Sequence, residues 1–260
     1  MLTRQRCQFW PSAAAILLGL LLFTGSAMGS GFAIIEQSAA GAGYAYAGAA
    51  AAAQDASTIF FNPAGMALQS GNELQAGAHY IIPQADFKNQ GSTTVLGTPL
   101  TGGNGGDGGD AALVPNFYYM HSISEQWKAG IGVTAPYGLV TEYDNGWVGR
   151  YHALKSELST ININPSVAYK INDQWSLGVG ISFEYADAEL SQALDYGTAL
   201  VAQGFPNPAV SQNLDGKATI DGDDWGVEAN VGLIFEPLAG TRFGLHYRSK
   251  IDHTLSLIHI

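Results

Sequence analysis

The sequence predicts an all-β fold, and within that class a transmembrane antiparallel β-barrel. The 260-residue chain is 47% hydrophobic but only 13% charged, about half the usual charged fraction of about 25% in soluble domains. Apolar and polar residues alternate over runs of about ten residues, which is the period of a strand and the length that a tilted strand needs to cross a bilayer. Short and long connections also alternate, which is typical of outer-membrane barrels.

Residues 1–29 predict a cleaved secretory signal peptide and therefore Sec-type export. Arg4 and Arg6 precede an unbroken small and apolar run over residues 13–23, and Ala27-Met28-Gly29 supplies small residues for a signal peptidase. The run is shorter than the about 20 residues of a spanning helix, so a membrane anchor is the weaker alternative. The single cysteine, Cys7, lies within the signal, so we expect no disulfides in the mature chain.

Residues 30–70 form the next segment, which is rich in alanine and glycine. Such residues bury little apolar surface, so the segment would hardly fold alone. We therefore expect it to need a surrounding wall.

Period-two alternation begins at Glu73 and predicts seven strands. The runs cover residues 73–82, 114–121, 127–135, 160–170, 175–186, 225–236 and 242–250. Aromatic residues stand at their ends, where they are expected to form the two interfacial girdles of a lipid-facing stripe. These residues are Trp127, Tyr137, Tyr169, Trp175, Tyr185, Trp225, Phe235 and Phe243.

The connections are predicted to be short at residues 124–126, 172–174 and 237–240, and long at residues 86–112, 139–157 and 191–223.

Seven strands is an odd number, whereas bacterial single-chain barrels have an even number. An open sheet in lipid would leave backbone groups unpaired. We therefore expect residues 71–260 to be a partial barrel, the N-terminal part of a longer protein. A soluble β-sandwich or a lipocalin-like barrel is the alternative, but neither requires alternating loop lengths or aromatic belts.

Charge and motifs argue against several functions. Without Arg4 and Arg6 the chain has 9 basic and 22 acidic residues, a formal net charge of −13, which argues against a nucleic-acid partner. The histidines show no metal-ligand spacing and no GxSxG motif is present. We therefore predict no enzyme activity, metal or cofactor. A barrel hydrolase that pairs His246 with a neighbouring serine is a minor alternative.

Six ordered stretches of the chain carry a family resemblance. They are residues 30–38 (SGFAIIEQS), 62–64 (NPA), 114–119 (VPNFYY), 136–139 (PYGL), 230–233 (NVGL) and 245–250 (LHYRSK). Together they resemble the FadL family of outer-membrane long-chain fatty acid transporters, which includes relatives that take up aromatic hydrocarbons. The resemblance spans nearly the whole mature chain.

The resemblance implies a 14-stranded barrel, of which about seven strands are present here, with residues 30–70 as a plug called the hatch. It also implies passive transport. A hydrophobic ligand binds from outside, moves to a pocket near the hatch, and leaves sideways through a gap beside a kink in the third strand. The expected partners are this ligand and outer-membrane lipid and lipopolysaccharide, and the protein is expected to be a monomer.

The resemblance also assigns hatch residues. Ser30, Gly31 and Phe32 are candidates for the gating end near the ligand pocket, with a disordered terminus as the alternative. Asn62, Pro63 and Ala64 are expected to form a turn that fixes the hatch against the inner wall.

Pro136, Tyr137 and Gly138 mark the expected lateral opening. Proline cannot donate to a strand ladder and glycine permits a bend. These residues alone favour an ordinary strand end with Tyr137 in the aromatic belt, whereas the resemblance favours the opening.

A fatty acid carboxylate needs a cation near an apolar pocket. Candidates at inward positions are Lys128, Lys170, Arg248 and Lys250. The resemblance places the family's carboxylate-binding arginine near Gln192, where this chain has no base. The missing base leaves room for a different charge partner or for an uncharged ligand. The resemblance still predicts a long-chain fatty acid or a similar hydrophobic molecule as the ligand. Aromatic hydrocarbon uptake is the alternative, and a general porin is a weaker one.

Overall fold

The computed structural model describes residues 32–205, 212 and 214–255, so the predicted signal peptide lies outside the described residues. They form one antiparallel sheet in the order β1-β2-β3-β5-β6-β7-β8, with β4 paired to β5. The strands are β1 Glu73–Ile81, β2 Ala112–Ser122, β3 Trp127–Thr134, β4 Gly138–Glu142, β5 Lys155–Lys170, β6 Trp175–Asp195, β7 Asp215–Leu238 and β8 Thr241–Arg248. The all-β antiparallel prediction is confirmed.

β3 and β4 occupy one position in the wall. Both pair with β5, and β4 resumes the ladder after a break at residues 135–137. The described sheet therefore has the seven wall positions that the alternation predicts.

Two long-loop predictions were wrong in extent. β4 and the start of β5 lie within residues 139–157, and β6 and β7 extend the hairpin to the pair Asp195↔Asp215. Apolar alternation, on which these predictions rest, ends where a strand leaves lipid. Backbone pairing does not need apolar side chains, so these hairpins continue beyond the apolar band. At the other end, β8 stops at Arg248, before Lys250.

The sheet is apolar on its exposed face and polar on its buried face. Val179 and Ile181 on β6 are 49% and 52% exposed, whereas the neighbouring Ser182 is fully buried. This is the reverse of a soluble protein and is the pattern of a wall that faces lipid. Polar side chains on the buried face are Asn116, Asn162, Asn164, Ser166, Ser182, Glu184, Glu228 and Asn230.

Aromatic side chains form two bands on the exposed face. Trp175 stacks on Phe235 with ring centroids 4.2 Å apart, and Tyr185, ten residues further along β6, contacts Trp225 at 5.3 Å. Ten residues rise about 33 Å along a strand. At a tilt of about 40° this is about 25 Å, the height of the apolar band of outer-membrane barrels.

Residues 32–70 lie against the polar face of the sheet. They contain α1 Ala39–Gly43, α2 Ala49–Ala52, α3 Thr58–Phe61 and a 3₁₀ helix, Pro63–Leu68. A small apolar core joins Ile59 and Met66 to Tyr118 and Met120 of β2. α4, Tyr196–Ala202, lies in the β6–β7 connection. None of the described helices is long and apolar enough to span a membrane.

Candidate functional site

The wall has a window between β2 and β4. β2 pairs with β3 only as far as Phe117↔Val133. Beyond this point the segment before β2 meets β4 at the bridge Gly109↔Thr141. Pro136 has no N–H to donate. The N–H of Tyr137 instead donates to Thr160 Oγ1 of β5 at 3.0 Å, and this hydroxyl donates to the carbonyl of Tyr137 at 2.8 Å. The kink predicted at Pro136, Tyr137 and Gly138 is therefore turned toward β5.

Residues 32–34 occupy the edge of this window, and we call them the strap. Ala33 forms a bridge with Tyr137. Ile34 N donates to Pro136 O at 2.8 Å, and Gly138 N donates to Phe32 O at 2.9 Å. The strap thus supplies the pairing that the kink lacks on this side. Phe32 is 45% exposed, and Ser30 and Gly31 lie outside the described residues.

Gln37 fixes the strap to the wall through hydrogen bonds. This fully buried side chain donates from Nε2 to the carbonyl of Ala135 at 2.8 Å and to that of Ile34 at 3.0 Å. Its own carbonyl accepts from the hydroxyl of Tyr118 at 2.7 Å. One glutamine therefore joins the strap to β2 and to the kink.

Two cavities meet at the kink. The outer one, about 390 Å³, lies at the window and is lined by the apolar side chains of Ile34, Val114 and Leu139, with Glu36 at its border. The inner one, about 530 Å³, contains Glu184, Glu228 and Arg248. Residues that line both cavities are Tyr137, Leu158 and Thr160. The kink is therefore the partition between the lumen and the window.

Asn62 fastens the rest of the N-terminal segment to the wall. Its Nδ2 donates to Ala50 O at 2.6 Å and to the wall carbonyls of Leu233 at 3.3 Å and Leu245 at 3.4 Å. Its Oδ1 accepts from Ala64 N at 3.1 Å, and Pro63 begins the 3₁₀ helix. The Asn-Pro-Ala sequence is thus a turn that also contacts the wall.

Two arginines of β8 form hydrogen bonds with the same segment. Arg242 donates to the carbonyls of Ala51 at 3.1 Å and Ala52 at 2.8 Å. Arg248 donates to Phe60 O at 3.0 Å. Residues 50–64 therefore have side-chain bonds to β7 and β8, whereas the strap is bonded to the kink.

The four predicted carboxylate-binding cations lie in different places. Lys128 is buried near the short turns, where it donates to Ser122 Oγ and to Ser124 O. Lys170 pairs with Asp173 at 2.8 Å. Lys250 reaches the border of the inner cavity, but its side chain is 82% exposed and paired with Asp252.

Arg248 remains as the predicted cation whose guanidinium lies inside the lumen beside the kink. Gln192 is exposed, whereas its neighbours Ser191 and Ala193 are buried. This position therefore faces away from the lumen.

Arg150 is a buried cation that no pattern in the sequence predicts. It pairs with Asp215 at 2.6 Å and donates to Thr101 O at 2.8 Å. Tyr151 donates to the same aspartate at 2.7 Å. Burial and this bond raise the pKa of the Tyr151 phenol to about 12. One guanidinium therefore joins the β1–β2 and β4–β5 connections to the start of β7. No local motif marks Arg150, because its partners are distant in sequence.

Substituting Arg150→Gln is expected to loosen these connections. A fully buried pair costs about 3–5 kcal/mol to break, and the partial exposure of Asp215 lowers our expectation to about 2 kcal/mol. Limited proteolysis of the folded protein should then cut the three segments faster. Lys155→Gln is the matched control, because Lys155 pairs with Glu157 and Glu189 at a more exposed place and should cost below about 1 kcal/mol. Equal protection of both variants would contradict the role of Arg150.

Comparison with known proteins gives a consistent result. A family profile described as "Outer membrane protein transport protein (OMPP1/FadL/TodX)" matches residues 20–256. The long-chain fatty acid transport protein of Escherichia coli O6:H1 is 33% identical over 257 residues, covering 95% of this chain and 56% of that protein. Outer membrane protein P1 of Haemophilus influenzae is 31% identical over 259 residues, covering 90% and 56%. The chain thus spans just over half the length of these relatives.

Solved structures show the same fold. A Pseudomonas aeruginosa FadL homologue aligns with a TM-score of 0.78 and 26% identity, over 85% of this chain and 53% of that one. The toluene transporter TbuX of Ralstonia pickettii aligns with a TM-score of 0.56 and 21% identity, over 77% and 54%. The similarity to TbuX shows a shared fold and nothing more.

Proposed function

The chain belongs to the OMPP1/FadL/TodX family of outer-membrane transport proteins, and from that premise we propose that it passes long-chain fatty acids or similar hydrophobic molecules passively across the outer membrane. In this proposal residues 30–70 are the hatch, the ligand leaves sideways through the window, and no chemistry or cofactor takes part. The apolar outer face contacts outer-membrane lipid and lipopolysaccharide, and the barrel acts as a monomer.

The observation that carries the proposal is the window between β2 and β4, closed by the strap. An apolar ligand needs a route that avoids water, and the apolar cavity at the window offers one through the wall. The inner cavity, which contains the charged side chains of Glu184, Glu228 and Arg248, lies on the other side of Tyr137. In this proposal a path from the lumen to the outside of the wall opens when the strap and this side chain move.

Energetics support the strap as the gate. Two backbone hydrogen bonds hold it to the kink, together with the bonds of Gln37. Each contributes a net stabilisation of about 0.5–1.5 kcal/mol, so the total is a few kcal/mol. Binding of a micromolar ligand releases about 8 kcal/mol. A ligand that binds better with the strap displaced can therefore open the window while residues 50–64 keep their bonds to the wall.

Uptake of aromatic hydrocarbons is the second candidate. It is favoured by the acidic border of the window cavity, which includes Glu36, Asp110 and Glu157 and suits an uncharged molecule better than an anion. A general porin is disfavoured, because residues 50–64 are bonded to the inner face of the wall.

Binding and conductance measured on the complete protein test these alternatives. We expect reconstituted protein to bind hexadecanoic acid with micromolar affinity and to conduct few ions in planar bilayers. Binding of toluene without binding of the acid would support the hydrocarbon alternative. Binding of neither, together with high conductance, would support a porin and overturn the proposal.

A further inference from the structure

Three charged side chains from neighbouring strands meet in the inner cavity. Arg248 of β8 forms an ion pair with Glu228 of β7, and Glu184 of β6 lies in the same cavity. Both carboxyl side chains are almost completely buried, at 8% and 3% exposure. Charged groups in such surroundings are costly unless they are paired. Their position beside the kink therefore suggests a role other than stability.

The guanidinium of Arg248 is already oriented for a carboxylate. One nitrogen donates to Glu228 and another to Phe60 O at 3.0 Å, while the ring of Phe60 lies 4.5 Å below the guanidinium carbon. A planar guanidinium fixed on two sides loses little further freedom when it exchanges one carboxylate for another. Glu228 therefore occupies the place of a ligand's head group.

The cavity is also amphipathic. Its lining divides into the charged side chains of Arg248 and Glu228 and the side chains of Tyr137 and Leu158, which also line the cavity at the window. A molecule with a carboxyl head and an apolar chain fits this division, with the head at Arg248 and the chain directed toward the window.

We propose, on the basis of the function proposed above, that Arg248 is the receptor for the ligand's carboxylate, that Glu228 is an internal counter-ion displaced by it, and that one proton from solvent enters with each acid. The reason for the proton is charge. Among the described residues that line the cavity, the buried charged groups are two carboxyl groups and one guanidinium, and the exposed Lys250 is paired with Asp252. An anionic ligand brings a third carboxyl group. The proton remains on one of these groups while the acid is bound.

Other titratable or charged groups surround this cluster. They are Tyr118, Tyr137, Asp224, His246, Lys250, Asp252 and His253. Among these, His253 contacts Glu184 at 3.4 Å and Asp224 at 3.6 Å. A variant of Glu228 is therefore needed to assign a pH effect to the pair.

The test compares an acid with its uncharged analogue. Binding of tetradecanoic acid and 1-tetradecanol to the complete protein is measured at pH 6.5 and 8.5. Each compound is kept below the concentration at which it self-associates, and both pH values lie above the ordinary pKa range of a carboxyl group. Arg248→Gln should weaken binding of the acid about tenfold or more, since a charge-assisted bond is lost, and should leave the alcohol unchanged. Arg242→Gln is the matched control, because it also removes a β8 guanidinium that grips residues 50–64.

Glu228→Gln should strengthen binding of the acid and remove most of its pH dependence. In the unsubstituted protein one linked proton strengthens acid binding by up to about tenfold per pH unit as the pH falls. If Arg248→Gln weakens acid and alcohol alike, or if Glu228→Gln leaves the affinity and its pH dependence unchanged, the inference is wrong. Failure of the unsubstituted protein to bind either compound would instead overturn the proposed function.

Discussion

Oxidation of a variant that carries Ala33→Cys and Tyr137→Cys is expected to abolish ligand uptake, and reduction is expected to restore it. The reason is the position of this pair. It joins the strap to the kink at the centre of the closed window, so a covalent bond there prevents the strap from moving. If the ligand leaves through the window, no uptake remains while the bond is intact.

The geometry of the pair suits a disulfide. The bonds from Ile34 N to Pro136 O and from Gly138 N to Phe32 O flank it, which makes Ala33 and Tyr137 a non-hydrogen-bonded antiparallel pair. Such pairs have Cα atoms about 4.5 Å apart, within the range that a disulfide accepts. The sequence has one cysteine, Cys7, within the predicted signal peptide, so the introduced thiols have no natural competitor in the mature chain.

Uptake of a radiolabelled fatty acid by cells that carry the variant is the measurement, with and without a membrane-permeant reductant. The reduced variant is its own control for the loss of the Tyr137 ring. A second control places Cys at Leu74 and Tyr119, a β1–β2 pair away from the window. Undiminished uptake by a fully oxidised Ala33→Cys, Tyr137→Cys protein would exclude strap movement as the gate.

The strands of the wall were predictable because lipid imposes a simple rule. On β6, outward Val179 and Ile181 alternate with inward Gly180 and Ser182, and this pattern is visible without any tertiary information. Outside the lipid the rule no longer applies. The pairing Asp195↔Asp215 depends on backbone bonds with polar side chains on both strands, so alternation could not reveal it.

The candidate site was predictable only in part. Pro136 and Gly138 announce a break in pairing, because one lacks a donor and the other permits a bend. The partner that fills the break could not be deduced, since Ala33 lies about a hundred residues away and carries no signal of its own. The same reason hides the role of Arg150, whose partners Thr101 and Asp215 belong to distant segments. Local patterns thus mark where the wall is interrupted, whereas long-range contacts decide what closes it.

Substituting Gly178→Val is expected to displace residues 50–64 from the wall. Gly178 lies on the inner face of β6 beneath the Asn-Pro-Ala turn, where a Cβ atom would overlap the backbone of Pro63 and Ala64. Overpacking against side chains costs about 1–3 kcal/mol. Here the neighbour is backbone fixed by Asn62, so we expect the substitution to cost more than about 3 kcal/mol of stability. Residues 50–64 should then lose their contacts with the wall.

Gly77→Val separates this effect from the general consequences of adding a side chain to the wall. Gly77 also faces inward, on β1, but a Cβ atom there meets the side-chain amide of Asn116, which can rotate away. We expect Gly178→Val to raise ion conductance and to expose residues 32–70 to protease, while Gly77→Val keeps low conductance and full protection. If the two variants behave alike, the position of residues 50–64 does not depend on close approach at Gly178. If Gly178→Val alone raises conductance, the small residue is required because the backbone of Pro63 and Ala64, rather than a side chain, contacts the wall at this point.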